Sequence, residues 1–243
     1  MIPCYRESGR IGAFLPDLCR AMQAFSGQVR IQVVEDGSCA AEVQCMREIV
    51  EKLRVDFPWL LPLKVLERNL GKGGAVYAGW ADHVGADWLA FVDADGSCSA
   101  HEVARLLAMR ADAREVPTAL FASRVKMLGR KVERLLKRHW LGRVYATLVS
   151  ELLNVPVYDS QCGLKLLPRL AFERIATRLR IKGFAFDVEL MVALLDTGCG
   201  IREVPIDWQE VAGGKVSLLR DSWRMARDVW DIRCRRPTWR HGA

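Results

Sequence analysis

Short apolar stretches rich in β-branched residues recur at residues 29–34, 63–66, 88–92, 119–122 and 201–206, and each reads as a buried strand. Between them, apolar residues return at intervals of three and four over 11–25, 43–53, 75–83 and 101–109, the spacing of one helix face. Strand and helix alternating in this way predict an α/β sandwich around a mostly parallel sheet. No repeat, low-complexity tract or Pro/Gly-rich linker divides the chain, so residues 1–216 are expected to form one domain, followed by a basic amphipathic helix and tail over 217–243. Open α/β sheets bind ligands at the carboxyl ends of their strands. Two of the expected strands run straight into acids there, one into Glu35-Asp36-Gly37-Ser38 and one into Asp93-Ala94-Asp95-Gly96-Ser97.

Composition narrows the picture. With 243 residues, 51% of them hydrophobic and 27% charged, the chain can bury a sizeable core, and a globular rather than a disordered chain is expected. No apolar run reaches the roughly 18 residues that span a bilayer, because acids interrupt each candidate. The N-terminus lacks the basic and apolar regions of a secretory signal, which makes a cytoplasmic location the expectation. Eight cysteines without a C-x-x-C pair argue against a zinc cage or a disulfide framework. The net charge of +7 is concentrated in residues 126–143 and 220–240, a basic surface that suits nucleic acid, anionic lipid or phosphate-bearing substrates alike.

The acids suggest chemistry. Carboxylates at Asp93 and Asp95 emerge directly from a buried strand, and hard oxygen ligands of this kind suit Mg²⁺ or Mn²⁺. Of the two acids, Asp95 is the expected ligand, and Asp93 is the expected contact to sugar or ribose. Asp36 either accepts from a nucleobase N–H or, with Ser38, caps the next helix. Leu70-Gly71-Lys72-Gly73-Gly74-Ala75 resembles a phosphate-cradling loop that opens a helix, though without the Walker A spacing. Gln161-Cys162-Gly163 reads as a turn with Gly163 at positive φ and Cys162 packed inside. Asp187 and Glu189 suit a helix start.

Taken in order, Ile2-Pro3-Cys4-Tyr5-Arg6-Glu7, Glu35-Asp36-Gly37-Ser38, Asn69-Leu70-Gly71-Lys72-Gly73-Gly74-Ala75 and Asp93-Ala94-Asp95-Gly96 resemble the family 2 glycosyltransferases with their Rossmann-like GT-A fold. Later segments, Tyr158-Asp159-Ser160-Gln161-Cys162-Gly163-Leu164-Lys165, Phe184-Ala185-Phe186-Asp187-Val188-Glu189-Leu190 and Glu203-Val204-Pro205-Ile206-Asp207-Trp208, are similar to the polyprenyl-phosphate hexosyltransferase branch, the dolichyl-phosphate β-glucosyltransferase type first and the GDP-mannose-dependent type second. The resemblance implies metal-dependent, inverting transfer of a hexose, glucose before mannose, from a nucleotide-sugar to a polyprenyl phosphate, with a non-lipid acceptor as the alternative and a non-enzymatic basic binding protein as a distant one. It assigns Pro3, Tyr5, Glu7, Asp36, Gly71, Lys72, Gly73, Asp93, Ala94 and Asp95 to the donor, Asp95 and Asp93 to the metal, and Asp159, Asp93 and Arg124 to catalysis. Arg6-Glu7 stands where the family has Asn-Glu, Glu35-Asp36 where it has Asp-Asp, and Ser97 where the mannosyl type carries a metal-binding Gln. Only Met1-Ile2 precedes Pro3, so the family's first, central strand is expected to be missing.

A phosphate monoester is largely dianionic at neutral pH, since its second pKa is near about 6. The acceptor therefore needs positioning more than deprotonation. Arg124, Arg130, Lys131 and Lys165 are the expected phosphate contacts, while Asp159 serves as base or else orients Lys165 or caps a loop. Tryptophans and arginines interleave over residues 217–236, the composition of an interfacial helix, and residues 127–153 are a second such candidate. The expected setting is peripheral attachment to the cytosolic face of a membrane, the alternative being helices packed on the sheet with their arginines in water. Nucleic acid is not an expected partner, because no recognition signature accompanies the charge and acids crowd the strand ends.

Overall fold

The structure, a computed structural model, describes residues 1–110, 117–133, 136–211 and 218–240, with the side chains of 136–141, 218–220, 238 and 240 outside the described set. The expected domain boundary at 216 and Arg220 of the basic helix therefore lie outside what is described.

Strands β1 (Ile2–Cys4), β2 (Val33–Glu35) and β3 (Lys64–Val65) pair in parallel, in the order β1-β2-β3. Beside them β4 (Trp88–Val92), β5 (Thr118–Ser123), β7 (Leu164–Pro168) and β8 (Gly200–Pro205) run in the order β4-β7-β5-β8. The two sets meet at β1, where the Val92 amide donates to the Met1 carbonyl at 3.1 Å. A separate parallel pair joins β6 (Val132–Glu133) to β9 (Trp208–Gln209). The central strand expected to be missing is thus present as β1. Three residues suffice because the Ile2 amide donates to Gln32 and the Cys4 carbonyl accepts from Asp36, each at 2.8 Å, so the neighbouring backbone groups are paired.

Helices α1 (Ser8–Gln23), α2 (Ala40–Arg54), α3 (Lys72–Ala81) and α4 (Ala100–Ala108) fall where the periodicity puts them. The apolar stripes of α1, α2 and α4 close one core over Ile11, Leu15, Met46 and Leu106. A second core lies on the other face of the sheet, around Trp80, Phe91, Phe121 and Phe186. It is covered by α3, α6 (Arg169–Ile175) and α7 (Phe186–Asp196), and then by α5 (Leu136–Leu153) and α8 (Leu218–Arg240). Two layers of helix on a mostly parallel sheet match the expected architecture.

Four details differ from expectation. The strand expected over 29–34 is displaced to Val33–Glu35, with Ile31 making only an isolated bridge to Leu60. The helical stretch expected over 127–153 begins only at Leu136, and β6 occupies part of its start. Strand β7 was read as a motif rather than a strand, and it is antiparallel to both β4 and β5. Finally, α2 starts at Ala40 behind Cys39, without a side-chain cap, so neither Asp36 nor Ser38 caps it.

Candidate active site

The carboxyl ends of β1, β2 and β4 open into a cleft of about 1630 Å³, walled on the far side by α5 and α8. Of the residues the sequence nominates, Pro3, Tyr5, Glu7, Asp36, Gly71, Lys72, Asp93, Ala94, Asp95, Arg124 and Asp159 line it. Gly73, Arg130, Lys131 and Lys165 do not.

Asp93 is held through both its backbone and its side chain. Its amide donates to the Gly163 carbonyl at 2.8 Å, and its Oδ1 lies 2.6 Å from the Lys72 ammonium. Gly163 has no positive φ, contrary to the expected turn; a Cβ there would overlap the Asp93 carboxylate, so glycine is required for space. Lys72 sits over the Phe91 ring, 5.4 Å from its centroid. Burial alone would lower its pKa, but the charges of Asp93 and Asp187 outweigh burial and raise it, so Lys72 stays a cation.

Asp36, 3% exposed, spends both carboxylate oxygens on the glycine-rich loop: Leu70 and Gly71 donate their amides to it at 2.7 and 2.9 Å. Burial pushes its pKa up, and these two bonds offset part of that rise. The amides of Gly73 and Gly74 donate to the Lys182 carbonyl at 2.8 and 3.3 Å. The expected phosphate cradle is therefore already filled by acceptors of the chain itself. Gly71 has φ +82° and Gly73 abuts Phe186, so these glycines serve close packing of the loop against residues 181–186.

Arg124 follows β5 and is clamped by Asp159. Its Nε and Nη2 each donate to the carboxylate at 2.7 Å, its amide donates at 2.9 Å, and its guanidinium stacks 5.1 Å from the Trp208 centroid. Burial would lower the Arg124 pKa, and the Asp159 carboxylate more than reverses this. Asp159 thus orients Arg124 rather than Lys165, in a loop whose Tyr158 and Asp159 amides donate to Glu203 at 2.9 and 2.8 Å. Lys165 is 0% exposed, paired with Asp187 at 2.8 Å and donating to the Cys162 carbonyl. It cannot reach a ligand in the cleft, because a buried ammonium needs these partners. Burial raises the Asp187 pKa and Lys165 opposes that rise. Arg130 is turned to buried Glu102 at 3.1 Å, and the Lys131 amide donates to Asp207. Cys162 is buried as expected, its thiol pushed up to about 12 by desolvation.

The opposite wall holds cations that the motifs do not single out. Arg143 on α5 stacks 4.1 Å from the Tyr158 centroid, and Arg224 and Arg227 line the cleft from α8. Their signal was the charge run alone, which does not say which arginines turn towards the cleft. Val144 and Leu148 on α5 line the cleft while remaining exposed.

As to a metal, Asp95 lies on the cleft wall beside Asp93, with Oδ1 accepting from the Ser97 amide at 2.9 Å. Among the described residues no cluster of three or more His, Cys, Asp or Glu side chains forms. One or two carboxylates facing an open cleft fit a cation such as Mg²⁺, which takes most of its oxygens from water and substrate phosphate. Asp93 is committed to Lys72, which leaves Asp95 as the better holder.

The glycosyl transferase family 2 pattern matches residues 1–175. This chain belongs to that family. It is 31% identical to the dolichyl-phosphate beta-glucosyltransferase of Saccharomyces cerevisiae over 96% of this chain and 73% of that protein. The enzyme of the same name from Dictyostelium discoideum is 29% identical over 97% of this chain and 73% of its own length. In fold, the chain is similar to glucosyl-3-phosphoglycerate synthase from Mycobacterium tuberculosis in complex with Mn²⁺, UDP and glucosyl-3-phosphoglycerate, with TM-score 0.65, 15% identity, and 96% and 78% of the two chains covered. The expected fold and the expected enzyme class, a glycosyltransferase, are both borne out.

Proposed function

We propose that this family 2 glycosyltransferase moves glucose, with inversion, from UDP-glucose to a polyprenyl phosphate of the dolichyl type, while attached peripherally to the cytosolic face of a membrane. The observation that carries the reading is one cleft lined by Asp93, Asp95 and the Asp159-clamped Arg124. The names of the relatives supply the sugar and the lipid.

Asp36 and the glycine-rich loop form the nucleotide side, and Lys72 holds Asp93 ready for sugar or ribose. Mg²⁺ or Mn²⁺, held by Asp95 with Asp93 beside it, would neutralise charge on the leaving diphosphate. Arg124 offers the acceptor phosphate a fixed cation, supported by Arg143 and Arg224 from the helical wall. Clamped by Asp159, Arg124 needs no reorganisation as charge develops, the condition under which such groups stabilise a transition state most. Asp159 acts as the orienting group, consistent with an acceptor that is already ionised at neutral pH.

Among the described residues no helix is long and apolar enough to cross a membrane. On α8, Met225, Val229, Ile232 and Trp239 are buried against the body, whereas Trp223 and Trp230 are 67% and 56% exposed. Arg227 and Arg233 stack on those two rings. An exposed stripe of tryptophan and arginine on the helix that walls the cleft suits an anionic headgroup layer.

The test is transfer of label from UDP-glucose to polyprenyl phosphate, counted in the extracted lipid phase with Mn²⁺ or Mg²⁺ present and GDP-mannose as the competing donor. Metal-dependent labelling from UDP-glucose that disappears in Asp95→Ala is the expected result. Labelling from GDP-mannose alone would replace glucose by mannose, and folded protein active with neither donor would remove the lipid-phosphate acceptor.

A further inference from the structure

Glu189 is an acid the proposed chemistry does not use, yet it is fully buried in the first turn of α7. Its Oε2 accepts from the amides of Arg180 and Ile181 at 2.8 and 2.7 Å. Its Oε1 pairs with Arg235 of α8 at 2.7 Å. Arg235 is also held by Asp231 at 2.8 Å and lies 5.7 Å from the Trp239 ring centroid. An ionised carboxylate out of water persists only with several such donors, and here they come from two separate parts of the chain.

The segment held by Glu189 is itself a support. The Lys182 carbonyl receives the amides of Gly73 and Gly74, and the amides of Leu70 and Gly71, earlier in the same loop, reach Asp36. Gly71 packs against Lys182, where a side chain would find no space. A continuous series of bonds therefore runs from α8 through Arg235, Glu189, the backbone of 180–182 and the glycine-rich loop to Asp36. Gln161 adds a parallel link, its Nε2 lying 3.4 Å from the Phe184 carbonyl and 3.8 Å from the Met225 sulfur of α8.

We infer that Glu189 and Arg235 are positioning residues for the donor nucleotide: their ion pair fastens the C-terminal helix to segment 180–182, which in turn sets the glycine-rich loop. The inference rests on reading the Asp36 side of the cleft as the nucleotide side. It gives α8 a second task besides facing a membrane. It also divides the arginines of this helix, since Arg235 and Arg236 turn to the protein body, Arg236 onto Asp196 at 2.7 Å. By linkage, whatever orders α8 strengthens nucleotide binding, and nucleotide binding orders α8 to the same degree.

The experiment uses the full chain, with Arg235→Met, the conservative Arg235→Lys, Glu189→Gln, and Arg236→Met as a comparison that weakens α8 elsewhere. Amide hydrogen exchange is followed at Gly73, Gly74, Arg180 and Ile181 against the amides of β4 and β5, and UDP or GDP with Mn²⁺ is titrated into each protein. Arg235→Met is expected to speed exchange at those four amides and to weaken the nucleotide at least about tenfold, as breaking a buried pair does. Arg235→Lys should recover part of both, and Arg236→Met should change neither. Unchanged exchange in Arg235→Met, or equal losses in Arg236→Met, would overturn the latch. Wild-type protein that bound neither UDP nor GDP would instead overturn the donor reading, and with it the assignment of the latch to nucleotide. Should Arg235→Met fold poorly, the milder Glu189→Gln carries the same expectation and the same overturning result.

Discussion

On the sheet side of the cleft the inward polar groups are bonded to other parts of the chain: Asp36 to Leu70 and Gly71, Asp93 to Lys72, Arg124 to Asp159. On the helical side α5 and α8 leave Val144 65% exposed and Trp223 67% exposed, and they bring Arg143, Arg224 and Arg227 to the cleft. The first wall is preorganised and the second is adaptable. A rigid, hydrogen-bonding surface suits a nucleotide-sugar of fixed shape, and a surface of apolar and cationic groups suits a flexible lipid with one charged end. The difference teaches that one cleft can divide two recognition problems between a sheet edge and a helix pair.

The largest loss should come from disturbing the rigid wall at its tightest point. Gly163→Ala places a methyl where the Asp93 carboxylate lies, and transfer should fall about 100-fold, the usual consequence of an ångström-scale misplacement. Glucosyl transfer with unchanged circular dichroism would check it, and near-normal activity would mean that the wall is not rigid. Next, Asp36→Asn leaves one of the Leu70 and Gly71 amides without an acceptor, at a cost of roughly 1–3 kcal/mol. This should appear as a raised KM for the donor and a lower melting temperature, with kcat at saturating donor little changed.

Lys72 gives the comparison a pH axis. A lysine whose pKa is raised in the fold contributes fully below its unfolded value near about 10.4, and that contribution is lost only as pH rises through the higher folded value. The pair's contribution to folding stability should therefore persist through the ordinary lysine range, and a fall in melting temperature near pH 8 that Lys72→Met abolishes would contradict the Lys72–Asp93 pairing. On the adaptable wall, replacing Trp223 and Trp230 together by Gln should weaken binding to anionic vesicles several-fold, and added salt should weaken what remains. Smallest of all is Arg130→Ala. Glu102 keeps Arg105 at 2.5 Å, and activity should stay within about twofold, as for a partly exposed ion pair.

The two walls were also unequally legible in the sequence. Strand ends at Asp36 and Asp93 follow from alternation and from the general placement of ligands in open sheets, and the helices over 40–54 and 100–108 follow from periodicity. The partners of those acids could not be read, because Asp36 meets Leu70 and Asp93 meets Gly163 only once the sheet has formed. Lys165 misled for a physical reason: a lysine in a motif suggests phosphate, but its place in the middle of β7 buries it, and Asp187 answers its charge. On α8 the charge run announced a basic helix, but sequence alone does not distinguish Arg227 in solvent from Arg235 on Glu189. That sorting depends on which face of the helix meets α5 and α7.

Strand β7 lies between β4 and β5, which do not pair with each other. During synthesis both earlier strands leave the ribosome well before residues 164–168, so a lane in the middle of the sheet stays empty until the later strand arrives. Until then Lys165 and Asp187 have no common interior, and Gly163 is not yet beneath Asp93. Assembly of this floor of the cleft should therefore be a late step of folding, dominated by contacts distant in sequence. A chain stalled between residues 123 and 164 would leave the β4 and β5 edges that β7 fills unpaired and open to any neighbouring polypeptide.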